Sequence, residues 1–186
     1  MPRTRDEEQV RIASEACLRV FALKGPPATC VAELAEAAGI NERKFYRWFS
    51  TKEQSIRPAL EAGAKQFREL VDQSDMPLPQ ATIDAFAEVI WNDNRERSMA
   101  LYPAIFGDPV TWAVFLDTID NSQVHLVATV AKKMRIDKGS MAARLAAAAI
   151  TSAVRFALQD FAATGDDPRP NFEKAIQAYQ DGVFSD

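Results

Sequence analysis

Apolar residues in this chain recur at the three-to-four-residue spacing of a helix face, and no segment alternates long enough to make a useful strand. Val31, Leu34, Ala35 and Ala38 form one such face, and Phe45 and Phe49, one turn apart, form the next. Gly39 stands between them. Lacking Cβ, a glycine accepts the left-handed backbone that ends a helix. Asn41 is placed to cap the helix that follows. Upstream, the pattern predicts a helix opening after Thr4, with Glu7 completing a capping box, and closing at Gly25 before Pro26-Pro27. Ser50 with Glu53 makes a second capping box, heading a long helix that carries Ile56, Leu60, Phe67 and Leu70, with Pro58 set to kink its first turns.

Met76-Pro77-Leu78-Pro79 is the clear break in the chain. Beyond it, helices are expected near 80–95, 98–107, 110–134, 139–164 and 170–184. Gly107-Asp108-Pro109, Asp137-Lys138-Gly139 and Gly165-Asp166-Asp167-Pro168 punctuate them. The expected class is all-α: an N-terminal three-helix unit over residues 1–52, then a helical bundle over 53–186. Within the bundle, Ala142, Ala146, Ala149 and Ala153 lie at helical spacing and permit close helix approach, while Leu145, Phe156, Leu158 and Phe161 supply burial. The last helix carries Phe172, Ile176, Tyr179 and Val183 on a comparable stripe. Two readings stand for these stripes, a monomer core or a two-fold interface between copies of the chain.

The short helix after Gly39 holds its phenylalanines inward and leaves Arg43, Lys44, Tyr46, Arg47 and Trp48 with more access to the outside. Two short helices at a glycine turn, the second basic and aromatic on its outer face, suit a DNA major groove and read as a helix-turn-helix. Ala16 to Phe21, Gly25, Thr29, Leu34-Ala35, Ala38-Gly39-Ile40, Phe45-Tyr46-Arg47-Trp48-Phe49 and Thr51-Lys52-Glu53 together resemble the DNA-binding domain of the tetracycline-repressor-like family of bacterial regulators. The resemblance covers the first quarter to third of the chain. It implies a dimeric, ligand-responsive transcriptional regulator, a repressor that binds a palindromic operator in double-stranded DNA and is released by a small-molecule effector. It also implies dimerisation through the last two long helices. The basic-aromatic run is similar to that of members that respond to acyl-coenzyme A compounds, so the expected effector is apolar or acyl-coenzyme A-like.

The residues expected to meet DNA follow from chemistry and resemblance together. Arg43 can fork to guanine O6 and N7, and Lys44 can do so less rigidly or take a phosphate. Tyr46 matches the family's phosphate-contacting tyrosine, and Thr29 and Lys52 match its flanking phosphate contacts. Arg47 and Trp48 are candidates for the DNA backbone. Trp48 stands where the family usually has His. Arg3 and Arg5 could reach a minor groove or remain a solvated tail. Glu42 opens the recognition helix, where an acid suits the helix dipole but repels phosphate.

Charge placement agrees with this reading. The 186 residues carry a net −4, yet residues 1–52 hold nine Lys/Arg against seven Asp/Glu. The remainder holds thirteen against nineteen, so the basic surplus sits on the helix-turn-helix. That surplus is small, and affinity is expected to come from a dimer. Cys17 and Cys30 lack metal-ligand spacing and fit a reducing cytoplasm. No apolar run follows Met1, and the low-charge stretch Leu145 to Val154 falls short of the ~20 residues that cross a bilayer, so no membrane is expected. One His and two Cys, with no phosphate loop or metal-spaced cluster, leave little for a catalytic site, and no cofactor is expected.

Phe86, Trp91, Met99, Tyr102, Phe106, Trp112 and Phe115 crowd the segment after Met76. They could line an apolar effector pocket, with Asn92, Asn94, Arg95 or Arg97 as polar anchors, or fill an ordinary bundle core. His125 could hydrogen-bond a ligand or sense pH. Arg155, inside the apolar Ala-rich helix, wants an anionic partner from the protein or from a ligand.

Overall fold

The computed structural model describes residues 2–92 and 95–182, with side chains from Asp6 onward. Asn94 and Val183 lie outside the described residues, as do the side chains of Arg3 and Arg5. Every regular element among the described residues is helical: α1 (Pro2–Lys24), α2 (Val31–Ala37), α3 (Glu42–Trp48), α4 (Arg57–Gln73), α5 (Leu78–Phe86), α6 (Arg95–Phe106), α7 (Pro109–Met134), α8 (Met141–Thr164) and α9 (Arg169–Asp181). A 3-10 turn at Glu53–Ile56 precedes α4, and a π-helical turn at Ala87–Trp91 extends α5.

The described residues fall into two compact units, one of Met1–Gly63 with Met99–Thr118, the other of Ala64–Ser98 with Ile119–Asp186. In the first, Leu18, Phe21, Leu34, Phe45, Phe49 and Ile56 are buried together with Cys17. Burial pushes the Cys17 thiol up to about 11, so it stays a protonated core group. The Ser14 hydroxyl accepts the Ala59 N–H at 3.0 Å, tying α1 to the start of α4. Arg57 pairs with Asp117 at 2.5 Å. Tyr102, Phe106, Trp112 and Phe115 gather in this unit, with Trp112 stacked on Phe115 at 5.5 Å and Phe106 tilted against both.

In the second unit Phe86 stacks on Phe172 with centroids 4.2 Å apart, and Trp91 meets Phe161 edge-on. Ala143, Ala147, Ile150, Ala153, Ala157, Leu158 and Phe161 form the buried face of α8. By length and composition alone α8 could cross a membrane. Part of its apolar surface supplies this packed face, with α9 against it, while Met141, Leu145 and Phe156 stay exposed.

Three local expectations shift. The first helix begins at Pro2, so Thr4 lies within it rather than capping it. Ser50 does not cap the next one: Thr51 Oγ1 accepts the Gln54 N–H, and a 3-10 turn intervenes. Pro58 therefore falls in the first turn of α4, where the N–H it lacks has no intrahelical acceptor.

Candidate nucleic-acid interface

Each of α2 and α3 is seven residues long, too short to persist alone in water, so tertiary ties hold them. Gly39 sits at φ +66°, and the Ile40 N–H donates to Ala35 O at 2.9 Å, closing α2 in a left-handed cap. Asn41 then opens α3 in extended backbone, its side chain accepting the Lys44 N–H at 2.8 Å. Phe45 is fully buried and Phe49 nearly so, their rings 5.1 Å apart, which anchors the inner side of α3.

At 100° per residue, Glu42, Tyr46, Arg43 and Arg47 fall within one arc of about 140°, and all four are exposed. Tyr46 is 56% exposed, its ring edge-on to Phe45 at 5.7 Å. Arg43 and Arg47 make no ion pair with any described residue. Lys44 and Trp48, both half-buried, flank the arc, and the Lys44 ammonium lies 4.3 Å from the Trp48 ring centroid, a cation–π contact. Trp48 in turn packs edge-on against Phe49.

The other two candidates for DNA contact face inward. Thr29 is buried, its hydroxyl donating to Gly25 O at 2.8 Å. The Lys52 ammonium donates to Pro26 O at 2.8 Å and to Thr29 O at 2.9 Å, closing the loop between α1 and α2 from 23 and 26 residues away. An ammonium has a third proton, and Lys52 keeps 26% of its side chain exposed. Sequence reasoning missed a further tie in this region: Glu33 accepts the Cys30 N–H at 2.9 Å and also pairs with Lys24. Both contacts hold its carboxyl down at about 2, the Lys24 contact foremost. The signal was present, since Glu33 stands three residues after Cys30, the spacing of a capping box with Cys in place of Ser or Thr.

The residues named for an effector are divided between the two units. Phe86, Trp91, His125 and Arg155 belong to one unit, and Tyr102, Phe106, Trp112 and Phe115 to the other. His125 is exposed. Arg155 is half-buried, its guanidinium over the ring of Phe156 at 4.7 Å, and it pairs with no acid among the described residues. A groove of about 410 Å³ does open in the second unit, lined mainly by apolar groups including Leu78, Leu145, Ile150, Ile176 and Tyr179. A smaller polar one, about 370 Å³, runs past Arg68, Asp72, Thr129 and Lys132. None of the residues named for an effector lines either.

Residues 14–54, which span the end of α1 through the turn after α3, match the family model of bacterial regulatory proteins, tetR family. No curated protein matches the chain in sequence. Solved structures match over most of its length. They include a transcriptional regulator from Pseudomonas aeruginosa PAO1, 17% identical over 98% of this chain and 91% of that one, with a TM-score of 0.59. A tetR-family transcriptional regulator from Streptomyces coelicolor matches at 17% identity over 94% of this chain and 78% of that one, TM-score 0.61. The TetR family regulator PfmR from Thermus thermophilus matches at 17% identity over 93% and 99%, TM-score 0.54. At these identities the solved structures speak for the fold, and the matched segment speaks for the reading head. Residues 14–54 thus carry the DNA-binding segment described by the family model of bacterial regulatory proteins, tetR family, and the chain as a whole has the fold of the solved regulators.

Proposed function

We propose that the protein is a dimeric repressor that binds a palindromic operator and leaves it when a small-molecule effector, apolar or acyl-coenzyme A-like, binds the helices beyond residue 52. The observation that carries the reading is the exposed arc of Arg43, Tyr46 and Arg47 on a helix pinned from behind by Phe45 and Phe49. Arg43 serves as the base-reading side chain, Tyr46, Arg47 and Lys44 as phosphate or base contacts, and residues 1–52 as the reading head.

Support for the dimer comes from α8. Opposite its buried face run Met141, Leu145, Ser152 and Phe156, spaced so that they share one side of the helix, and Met141, Leu145 and Phe156 are 61%, 62% and 48% exposed. Large apolar side chains along about 22 Å of helix are what a second copy would cover. A two-fold pair also sets two reading heads against two half-sites. For the effector, the apolar groove of about 410 Å³ has the size of a small-molecule site. A ligand releases DNA only through different affinity for the two states of the protein.

The test is selection from a random duplex pool at moderate salt, alongside sedimentation equilibrium of the wild type and Phe156→Glu. An inverted repeat, a wild-type mass of two chains and a one-chain mass for Phe156→Glu are expected. A wild type that sediments as one chain, or a recovered site without two-fold symmetry, overturns the dimer. Acyl-coenzyme A compounds titrated onto the selected complex then test the effector class, with release expected.

A further inference from the structure

The recognition helix carries a carboxylate that neither the fold nor phosphate binding uses. Glu42 is the first residue of α3, exposed, and engaged in no hydrogen bond or ion pair with any described residue. Its helical neighbours explain why: the residues three and four positions on are Phe45 and Tyr46, so no cation lies within an intrahelical pair. The capping of α3 is done by Asn41, so Glu42 is not needed there. Lys44, two residues on, is turned onto Trp48. Glu42 thus shares an outward arc with Tyr46 and Arg43 and presents a free acceptor beside a free donor.

An acid on a surface that must approach phosphates costs affinity for every sequence, unless it accepts a hydrogen bond from a base. In the major groove only cytosine N4 and adenine N6 offer an amino donor. Adenine places its N7 acceptor beside that donor, against which an acceptor-only carboxylate is repelled; cytosine offers the donor alone. We propose that Glu42 is a specificity-determining residue that accepts from a cytosine amino group in each half-site, next to or paired with the guanine that Arg43 reads. The inference rests on the DNA-reading role of α3 and adds to it the identity of a base. Acid and base side by side then make the head selective: Glu42 repels sites that lack the cytosine as Arg43 rewards those with the guanine.

Selection from a random duplex pool with the full-length wild type, Glu42→Ala, Glu42→Gln and Arg43→Ala tests it. The wild type is expected to require cytosine at one position of each half-site, preferred over other bases by roughly five- to hundredfold. Glu42→Ala loses that preference and keeps the others. Glu42→Gln moves it toward adenine, whose N6 and N7 a glutamine amide matches. Arg43→Ala loses a guanine on the same or the adjacent base pair. Both Glu42 variants change an exposed, unpartnered side chain, and Gln is isosteric with Glu, so loss of fold does not intervene. If both bind every sequence more tightly by one common factor with preferences intact, Glu42 is only a charge at a helix end and the inference is overturned. A wild type that enriches no sequence overturns the reading head itself, an outcome distinct from unchanged preferences in the variants.

Discussion

The reading head and the α8–α9 pair are both helical, yet they are held in opposite ways. In the head, α2 and α3 have seven residues each, and polar groups at their ends do much of the fastening: Asn41 to Lys44 N, Lys52 to two carbonyls, Glu33 to Cys30 N and Lys24. In α8, 24 residues long, a continuous apolar face does that work, and polar ties such as Thr151 to Gln123 are secondary. Short helices depend on their ends, long ones on their faces. Substitutions of the same chemical kind should therefore have unequal consequences in the two regions.

The largest effects are core truncations. Phe45 and Phe86 are both buried to within 1%, and replacing either with Ala should cost about 3–5 kcal/mol, read as a shift in the urea midpoint. Their functional outcomes should separate. Phe45→Ala removes the anchor of α3 and is expected to abolish duplex binding even where the rest of the chain stays helical by circular dichroism. Phe86→Ala, at a temperature where it is still folded, should keep duplex affinity within about threefold, since its loss falls on the Phe172 stack. Equal loss of binding in the folded forms of both would break the contrast.

Two lysines sharpen it further. Lys52→Met removes a cation from two backbone carbonyls and should destabilise by about 2 kcal/mol. Lys132→Met removes an ion pair to Asp72 in which the lysine is 63% exposed, and should cost at most about 0.5 kcal/mol. Both are read by denaturant unfolding without DNA. A Lys52 variant of wild-type stability, whose binding loses about one unit of salt slope, would make Lys52 a phosphate contact first and a loop tie second.

These cases also mark what was legible in the sequence. Gly39, Asn41 and the Phe45–Phe49 spacing act over one turn, so their roles follow from neighbours in the chain, and the helix-turn-helix was readable from them. The long helices were readable because an apolar period repeated over many residues averages out local exceptions. Lys52 was not: its acceptors are 23 and 26 residues back, and nothing in Thr51-Lys52-Glu53 distinguishes a loop tie from a phosphate contact. The π-helical turn was hidden for a similar reason, since the Ile90 carbonyl is met by Ser98 Oγ from the next helix. Nor does aromatic density reveal a partner. Phe86 and Phe106 look alike in sequence, yet they pack in different units.

Helix caps give a smaller test. Asn41 caps α3 at 2.8 Å and Ser140 caps α8 through Ala143 N at 3.2 Å. Asn41→Ala should cost about 1 kcal/mol and weaken DNA binding, because the first turn it fixes holds Glu42, Arg43 and Lys44. Ser140→Ala should cost about half as much or less, in line with its longer bond and a helix whose face is independently packed. Greater damage from Ser140→Ala than from Asn41→Ala would show that ends matter as much in the long helix as in the short ones.

The smallest expected effect is an acid-side one, and its sign follows from Glu33. Its carboxyl is held at about 2 in the folded protein by Lys24 and the Cys30 N–H, against an ordinary value of 4.5. Between those values the unfolded chain binds a proton that the folded one refuses, so this contribution to stability is complete above about pH 4.5 and drains away as pH falls toward 2. Glu33→Gln keeps an oxygen for Cys30 N but cannot titrate. Thermal melts of wild type and variant should therefore differ at pH 7 and converge as pH is lowered through that window, while the other carboxylates, common to both proteins, cancel in the difference. Glu33 is a surface group, so the gap in melting temperature should be a few degrees at most and should shrink in added salt. A gap that stays constant from pH 7 to 3 would mean that the α2 N-terminus is held by the neutral hydrogen bond alone. The ion pair to Lys24 would then be an ornament of the short helix rather than one of the ties on which it depends.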